Sequence, residues 1–258
     1  MMNISESNLD SIIDYLDDYK YTIKERDNLK LDFTHESSQL NYRSFMINHL
    51  KSYASLKSIV PSTLQLAVYL VDMVMDSYKL QEEKFLLIAN VCLLIAAKVD
   101  EYSGNVPKLT ELNASVANIY EISDYKRMEM FILNIFNGFV NFPTPAHCSH
   151  YYFQAILDNE DVKIIKERKE TINETKRVLN SLLLTSLDRY INDIHYMQFY
   201  PPSLLAAAAI SACRVQYGLA NWNRQLENFT GYTETVLEEI KKFLLQPHSL
   251  KCTLCPNE

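Results

Sequence analysis

Apolar residues recur along this chain at helical rather than strand spacing. Leu9, Ile12, Ile13 and Leu16 in "NLDSIIDYLDDYKYTI" (8–23) stand on one face with acids opposite, which predicts an amphipathic helix capped by Ser7. Further helices are predicted from about Tyr42 to Ala54, over "STLQLAVYLVDMVMDSY" (62–78), over 83–99 and over "DYKRMEMFILNIF" (124–136). In the last of these Met128, Phe131, Ile132 and Ile135 form one stripe. "NFPTP" (141–145) breaks the pattern, because two closely spaced prolines end one helix and open the next. The second half then repeats the order of the first. An amphipathic helix ("LQLAVYLVDMVMD"; "VLNSLLLTSLDRYI") precedes one that is apolar nearly all round ("FLLIANVCLLIAA"; "SLLAAAAISAC"). A helix carrying glutamate among apolar residues comes last ("RMEMFILNIF"; "VLEEIKKFLL"). The pattern points to two copies of one helical unit of roughly 100 residues, each wrapped around its third helix.

Composition narrows the function classes. A chain of 258 residues favours two domains, and four glycines suit helices better than turn-rich sheets. A formal charge of −7, with no Lys/Arg cluster, argues against nucleic acid as a partner. The N-terminus lacks the pattern of a signal peptide, and the longest apolar stretch (85–97) is about 13 residues, too short to cross a bilayer. No membrane partner is expected, and the compartment is read as intracellular with reduced thiols. Cys92, Cys148 and Cys213 lie in apolar surroundings and read as core residues. Cys252 and Cys255 have the spacing of half a zinc site, but with His248 they give three ligands at best, and they are read as tail. The acids Asp14, Asp17 and Asp18 read as a solvated helix face. His147 and His150 read as polar positions on the first helix after the prolines. No phosphate-binding glycine loop or nucleophile elbow occurs, so no catalytic residue, metal or cofactor is expected and the chain is not read as an enzyme.

The informative residues are charges set on otherwise apolar helices. In "CLLIAAKVDEY" (92–102) a nearly wholly apolar run stops at Lys98. Arg43 sits in "YRSFMINHL", Asp72 in "LAVYLVDMVM" and Glu129 in "RMEMFIL". Here the chain resembles the cyclins, whose cyclin box is recognised by an arginine, an aspartate, a leucine, a lysine and a glutamate in that order. Arg43, Asp72, Leu87, Lys98 and Glu129 match all five. "PKLTELN" (107–113), "PTPAHCSHYY" (143–152) and "YPPSLLAAAAI" (200–210) look closest to the cyclin J branch, and the resemblance covers about residues 40–245.

The resemblance implies an all-α chain of two tandem five-helix cyclin folds preceded by an N-terminal helix. The implied boundaries are an extension at 1–35, folds at 36–141 and 142–248, and a tail at 249–258. It implies regulation of the cell cycle by binding and allosterically activating a cyclin-dependent serine/threonine kinase, in the nucleus or cytoplasm. Arg43 and Asp72, with Leu87, would be structural. Lys98 and Glu129 would meet the kinase, with Leu133 and Val140 as apolar contacts. Gly138 stands where many cyclins place an aromatic, flanked by Phe136 and Phe139. The groove that receives substrate peptides in cell-cycle cyclins would fall on Tyr42, Phe45, Met46, His49 and Phe85. His49 replaces the expected tryptophan, and Ser52 replaces the acid that would pair with a peptide arginine, so a degenerate groove for kinase substrates is expected. "RDNL" (26–29) fits the core of a destruction box. The rival readings are a cyclin-fold scaffold or adaptor that activates no kinase, a promoter-binding factor, which the acidic charge disfavours, and an all-helical enzyme.

Overall fold

A computed structural model describes residues 16–246; the Ser7 cap, Asp14 and the Cys252/Cys255 tail lie outside the described residues. Among the described residues every regular element is a helix. The chain divides into two compact units, one made of 31–146 with 187–200, the other of 147–186 and 201–245 together with the N-terminal stretch up to Lys30. No described helix is long and apolar enough to cross a membrane.

The N-terminal helix α1 spans Leu16–Asp27. The first unit is built from α2 (Arg43–Lys57), α3 (Pro61–Ser77), α4 (Phe85–Asp100), α5 (Leu109–Ala114) and α6 (Ile122–Ile135). Pro61 opens α3 at its first position, where a missing N–H costs nothing. Helix α4 is the axis of this unit: residues 87–97 are all buried, and α2, α3 and α6 pack against it. A helix surrounded on all sides needs no polar face, which is why its sequence shows no amphipathic stripe.

Further along the chain, α7 (Pro145–Tyr152), α8 (Asn159–Glu167) and α9 (Ile172–Asn192), which leaves the other unit after Ser186, precede the short α10 (Ile194–Phe199). Then come α11 (Pro202–Tyr217), α12 (Arg224–Thr230) and α13 (Glu234–Leu245). The α10 segment belongs to the first unit. Helix α11 repeats the role of α4, with Leu205–Arg214 buried without interruption and α13 and α1 packed on it. Its alanines let neighbouring backbones approach closely. Cys148 and Cys213 are buried, and burial pushes both thiols up to about 12.

Helix α1 is fastened by Asp27. Its carboxylate accepts the Ser203 backbone N–H (3.2 Å) and the Ser203 hydroxyl at the first turn of α11, and Tyr232 Oη lies 2.6 Å from that hydroxyl. Negative charge is favoured where a helix leaves its first N–H groups unpaired. Burial pushes the Asp27 carboxyl above its ordinary value, and the Ser203 hydrogen bonds oppose that rise. The "RDNL" tetrapeptide is therefore the folded end of α1, with Asn28, Leu29 and Lys30 N–H groups bonded back to Lys24, Arg26 and Asp27 carbonyls. Asp27→Ala should raise amide hydrogen exchange across 16–27 by about tenfold, from the loss of roughly 1–2 kcal/mol of capping interaction. Unchanged protection in that helix would show that Asp27 does not hold it.

Candidate functional site

Arg43 opens α2 and Asp72 lies late in α3, both buried. Arg43 Nε donates to Asp72 Oδ1 at 2.7 Å and Nη2 to Oδ2 at 3.0 Å, a fork that fixes the two helices against each other. Two further partners complete the site. Arg43 Nη1 donates to the Asn192 carbonyl at 3.4 Å, and Gln198 Nε2 donates to Asp72 Oδ2 at 3.0 Å. The 187–200 segment is tied to this unit by Gln65 as well, whose amide donates to the Leu187 carbonyl (3.2 Å) and accepts the Ala146 N–H (2.8 Å). Leu87 is core, 3% exposed.

Lys98 comes one residue after the buried run of α4 ends, in its last turn. Its ammonium meets Glu129 Oε1 of α6 at 2.5 Å, with the lysine side chain 49% exposed and the glutamate 19%. The neighbouring Glu101 is engaged internally, accepting the Val60 N–H at 2.8 Å and the Thr63 hydroxyl at 3.2 Å at the start of α3. An ammonium has three donors. Glu129 takes one and aims the group, while half the side chain faces outward. Leu133 and Val140 are half-buried and pack against the unit's own core.

The departure at Gly138 has a backbone cause. After α6 the Asn137 N–H donates to the Asn134 carbonyl (3.2 Å) and the Gly138 N–H to the Leu133 carbonyl (2.8 Å), the paired bonds of a Schellman cap. Asn137 is the left-handed residue of that cap (φ +50°), and Gly138 after it also adopts φ +77°, where a side chain is strained even though the space beside it is open. Phe139, 46% exposed, rests edge-on against Phe142 with ring centroids 5.3 Å apart. Gly138→Ala should lower stability by about 1–2 kcal/mol in urea unfolding, the penalty of a Cβ in left-handed backbone. A neutral effect would mean that the turn relaxes to another conformation.

The five docking-groove positions do not form one open surface. Met46 and Phe85 are 0% and 2% exposed, so they fill the core and present no face to a peptide. Tyr42 and Phe45 are exposed; Tyr42 donates to Glu82 Oε1 (2.7 Å) and leans on the Phe85 ring. His49 is half-buried, its Nε2 2.8 Å from Asn90 Oδ1. Ser52 donates to the Asn48 carbonyl of its own helix. Asn90 is a residue the sequence reading passed over. Buried in mid-α4, it donates to the Leu112 carbonyl (3.0 Å) and to Tyr125 Oη (3.2 Å) and so joins α2, α5 and α6. Its only sequence signal is an amide within an all-apolar run. Among the described residues no group of three or more His, Cys, Asp or Glu could hold a metal ion.

Comparison with known proteins decides the family. The profile described as "Cyclin, N-terminal domain" matches residues 11–141, and that described as "Cyclin, C-terminal domain" matches 143–254. The chain belongs to the cyclin family. Among curated relatives, Cyclin-J of Xenopus laevis is 29% identical over 83% of this chain, and a Cyclin-J-like protein of Mus musculus is 30% identical over 88%. The chain spans 56% and 60% of the lengths of these relatives. Among solved structures, a viral cyclin from herpesvirus saimiri has a TM-score of 0.63 at 12% identity, covering 87% of this chain and 96% of its own. The yeast RNA Pol II CTD kinase CTDK-1 complex contains a chain with a TM-score of 0.54 at 15% identity, covering 87% of this chain and 70% of its own. The all-α architecture of two tandem cyclin folds is thus shared with these neighbours.

The second cyclin fold contains an ion pair that the sequence reading did not single out. Arg214, late in α11, lies wholly buried against Asp161 of α8, with Nη1 2.6 Å from Oδ2 and Nη2 3.2 Å from Oδ1. Its Nε donates to the Ala220 carbonyl at 2.9 Å, and Nη1 also reaches the Ile156 carbonyl. The signal was the same one that marked Lys98: a lone cation closing an apolar helix.

Proposed function

We propose that this cyclin-family chain binds a cyclin-dependent protein kinase through the Lys98–Glu129 end of its first fold and activates it allosterically. The supporting observation is the state of Lys98. It is half exposed and aimed by Glu129, at the end of a helix whose preceding residues 87–97 are all buried. Such a group suits the backbone carbonyls of a partner. In the family, those carbonyls belong to the kinase's regulatory helix and the loop before it. A kinase alone holds that helix outward, away from the ion pair that positions ATP. A partner with higher affinity for the inward state shifts the equilibrium toward competence for phosphoryl transfer and contributes no catalytic group itself. The net charge of −7 disfavours a nucleic-acid role.

The experiment is phosphorylation of a histone-type substrate by a panel of purified cyclin-dependent kinases, each with this chain or its Lys98→Glu variant. Activation of at least one kinase by the wild type, lost in the variant, is the expected result. A second reading, a scaffold that activates no kinase, is favoured by Gly138, which removes an aromatic that many cyclins press on the kinase. It predicts tight binding to a kinase that stays inactive. Absence of both binding and activation across the panel overturns the proposal.

A further inference from the structure

Two segments of the first unit, 31–38 and 190–200, bring together an aromatic platform that the kinase reading does not use. Phe199 is 52% exposed, and His35 and His195 beside it are exposed too. The Phe199 ring centroid lies 6.4 Å from Phe33, 6.3 Å from His35 and 5.2 Å from His195, with both Phe33 and His35 nearly perpendicular to it. Tyr200 meets His195 edge-on at 5.7 Å. Large rings of this kind ordinarily lie buried; several meeting at the surface mark a place where something docks.

The platform is also held in shape. His35 adopts φ +58°, an unfavourable backbone state for a residue with a side chain. Asp76 holds it there: its carboxylate accepts the Thr34 N–H (2.7 Å), the His35 N–H (3.0 Å) and the Thr34 hydroxyl (2.9 Å). From the other side, Gln198, next to Phe199, is anchored on Asp72 of the buried ion pair. A left-handed residue held by three hydrogen bonds on one side and a buried amide anchor on the other keep this exposed ring cluster in shape.

Charge identifies the occupant. Segment 31–38 carries Asp32 and Glu36 and no lysine or arginine; in 187–200 Asp193 stands with Arg189, whose guanidinium donates to the Gln246 carbonyl (2.8 Å), and Asp188, which pairs with Lys51. Asp32 and Glu36 are exposed. We infer that this face binds an arginine-bearing basic peptide segment of a partner protein, with guanidinium groups stacked on Phe199 and its neighbouring rings and the acids supplying the opposing field. The site is distinct from the Lys98 end, which offers a cation and apolar contacts. It binds whether or not a kinase is present, so its test and the kinase test fail separately.

The test is fluorescence anisotropy with a labelled peptide of alternating arginine and serine, compared with the same peptide carrying citrulline for arginine. The full chain should bind the arginine peptide saturably and the citrulline peptide much more weakly. Phe199→Leu, which keeps apolar bulk and removes the ring, should weaken the arginine peptide about fivefold. Because Phe199 is half exposed, the variant folds, and an unchanged circular dichroism spectrum checks that. Equal affinity for wild type and variant would reduce the binding to diffuse attraction by an acidic protein and overturn the inference. So would sedimentation showing a dimer of this chain that Phe199→Leu dissociates, which would assign the face to a second copy.

Discussion

Lys98→Glu is expected to lower affinity for the partner kinase by thirtyfold to a few thousandfold, about 2–5 kcal/mol, and to abolish activation at ordinary concentrations. The size follows from what the reversal does at an interface. The two donors that Glu129 leaves are lost, and a carboxylate is pressed against the carbonyl oxygens that the ammonium would have met. Within the chain itself the effect is far smaller. The lysine side chain is 49% exposed, and an exposed pair of this kind contributes about 0–1 kcal/mol to folding. The variant should therefore melt within a few degrees of wild type. A double variant, Lys98→Glu with Glu129→Lys, restores an internal pair in reverse and separates the two effects. If the kinase needs a cation at that helix end, the double variant folds like wild type and still fails to activate. If it activated fully, the pair would matter only for the chain's own stability. Titration by surface plasmon resonance, read beside the phosphorylation assay, measures both quantities.

Much of the fold was legible in periodicity. The stretch expected at 62–78 is Pro61–Ser77, that at 83–99 is Phe85–Asp100, and that at 124–136 is Ile122–Ile135. Long helices packed around a central one carry their period openly. The short helices α5, α8, α10 and α12, six to nine residues each, were not distinguished, because one or two turns do not establish a period. The site was legible more unevenly. The five charged and apolar positions of the cyclin box came from resemblance, and charge on an apolar helix pointed the same way. That Gln198, 126 residues beyond Asp72, donates to its carboxylate had no local signal. Nor did the buried state of Met46 and Phe85, since an apolar residue on an amphipathic helix can face a groove or a core with the same spacing. The left-handed backbone at Asn137 and Gly138 had no signal beyond the residue types themselves.

The duplicated architecture makes the sharpest test of why one fold is proposed to meet the kinase. Lys98 and Arg214 occupy comparable places, each late in the apolar axis helix of its unit. Lys98 is half exposed beside Glu129, whereas Arg214 is 0% exposed, with a bidentate carboxylate and two carbonyls closing its donors. One cation keeps half of its side chain exposed and the other is consumed by the fold. Arg214→Ala should thus destabilise the second unit by about 3–5 kcal/mol, since it strands the Asp161 carboxylate in the interior. That is a large part of the 5–15 kcal/mol typical of a domain, so urea unfolding should begin far earlier or the protein should aggregate. Lys98→Ala should cost about 1 kcal/mol or less by the same measurement. Adding Asp161→Ala to Arg214→Ala removes the stranded charge and should recover part of the loss, which a double-mutant cycle reads directly. Arg214→Ala as mild as Lys98→Ala would mean that the interior solvates Asp161 without it. The contrast between a closed and an open helix end would then lose its energetic basis.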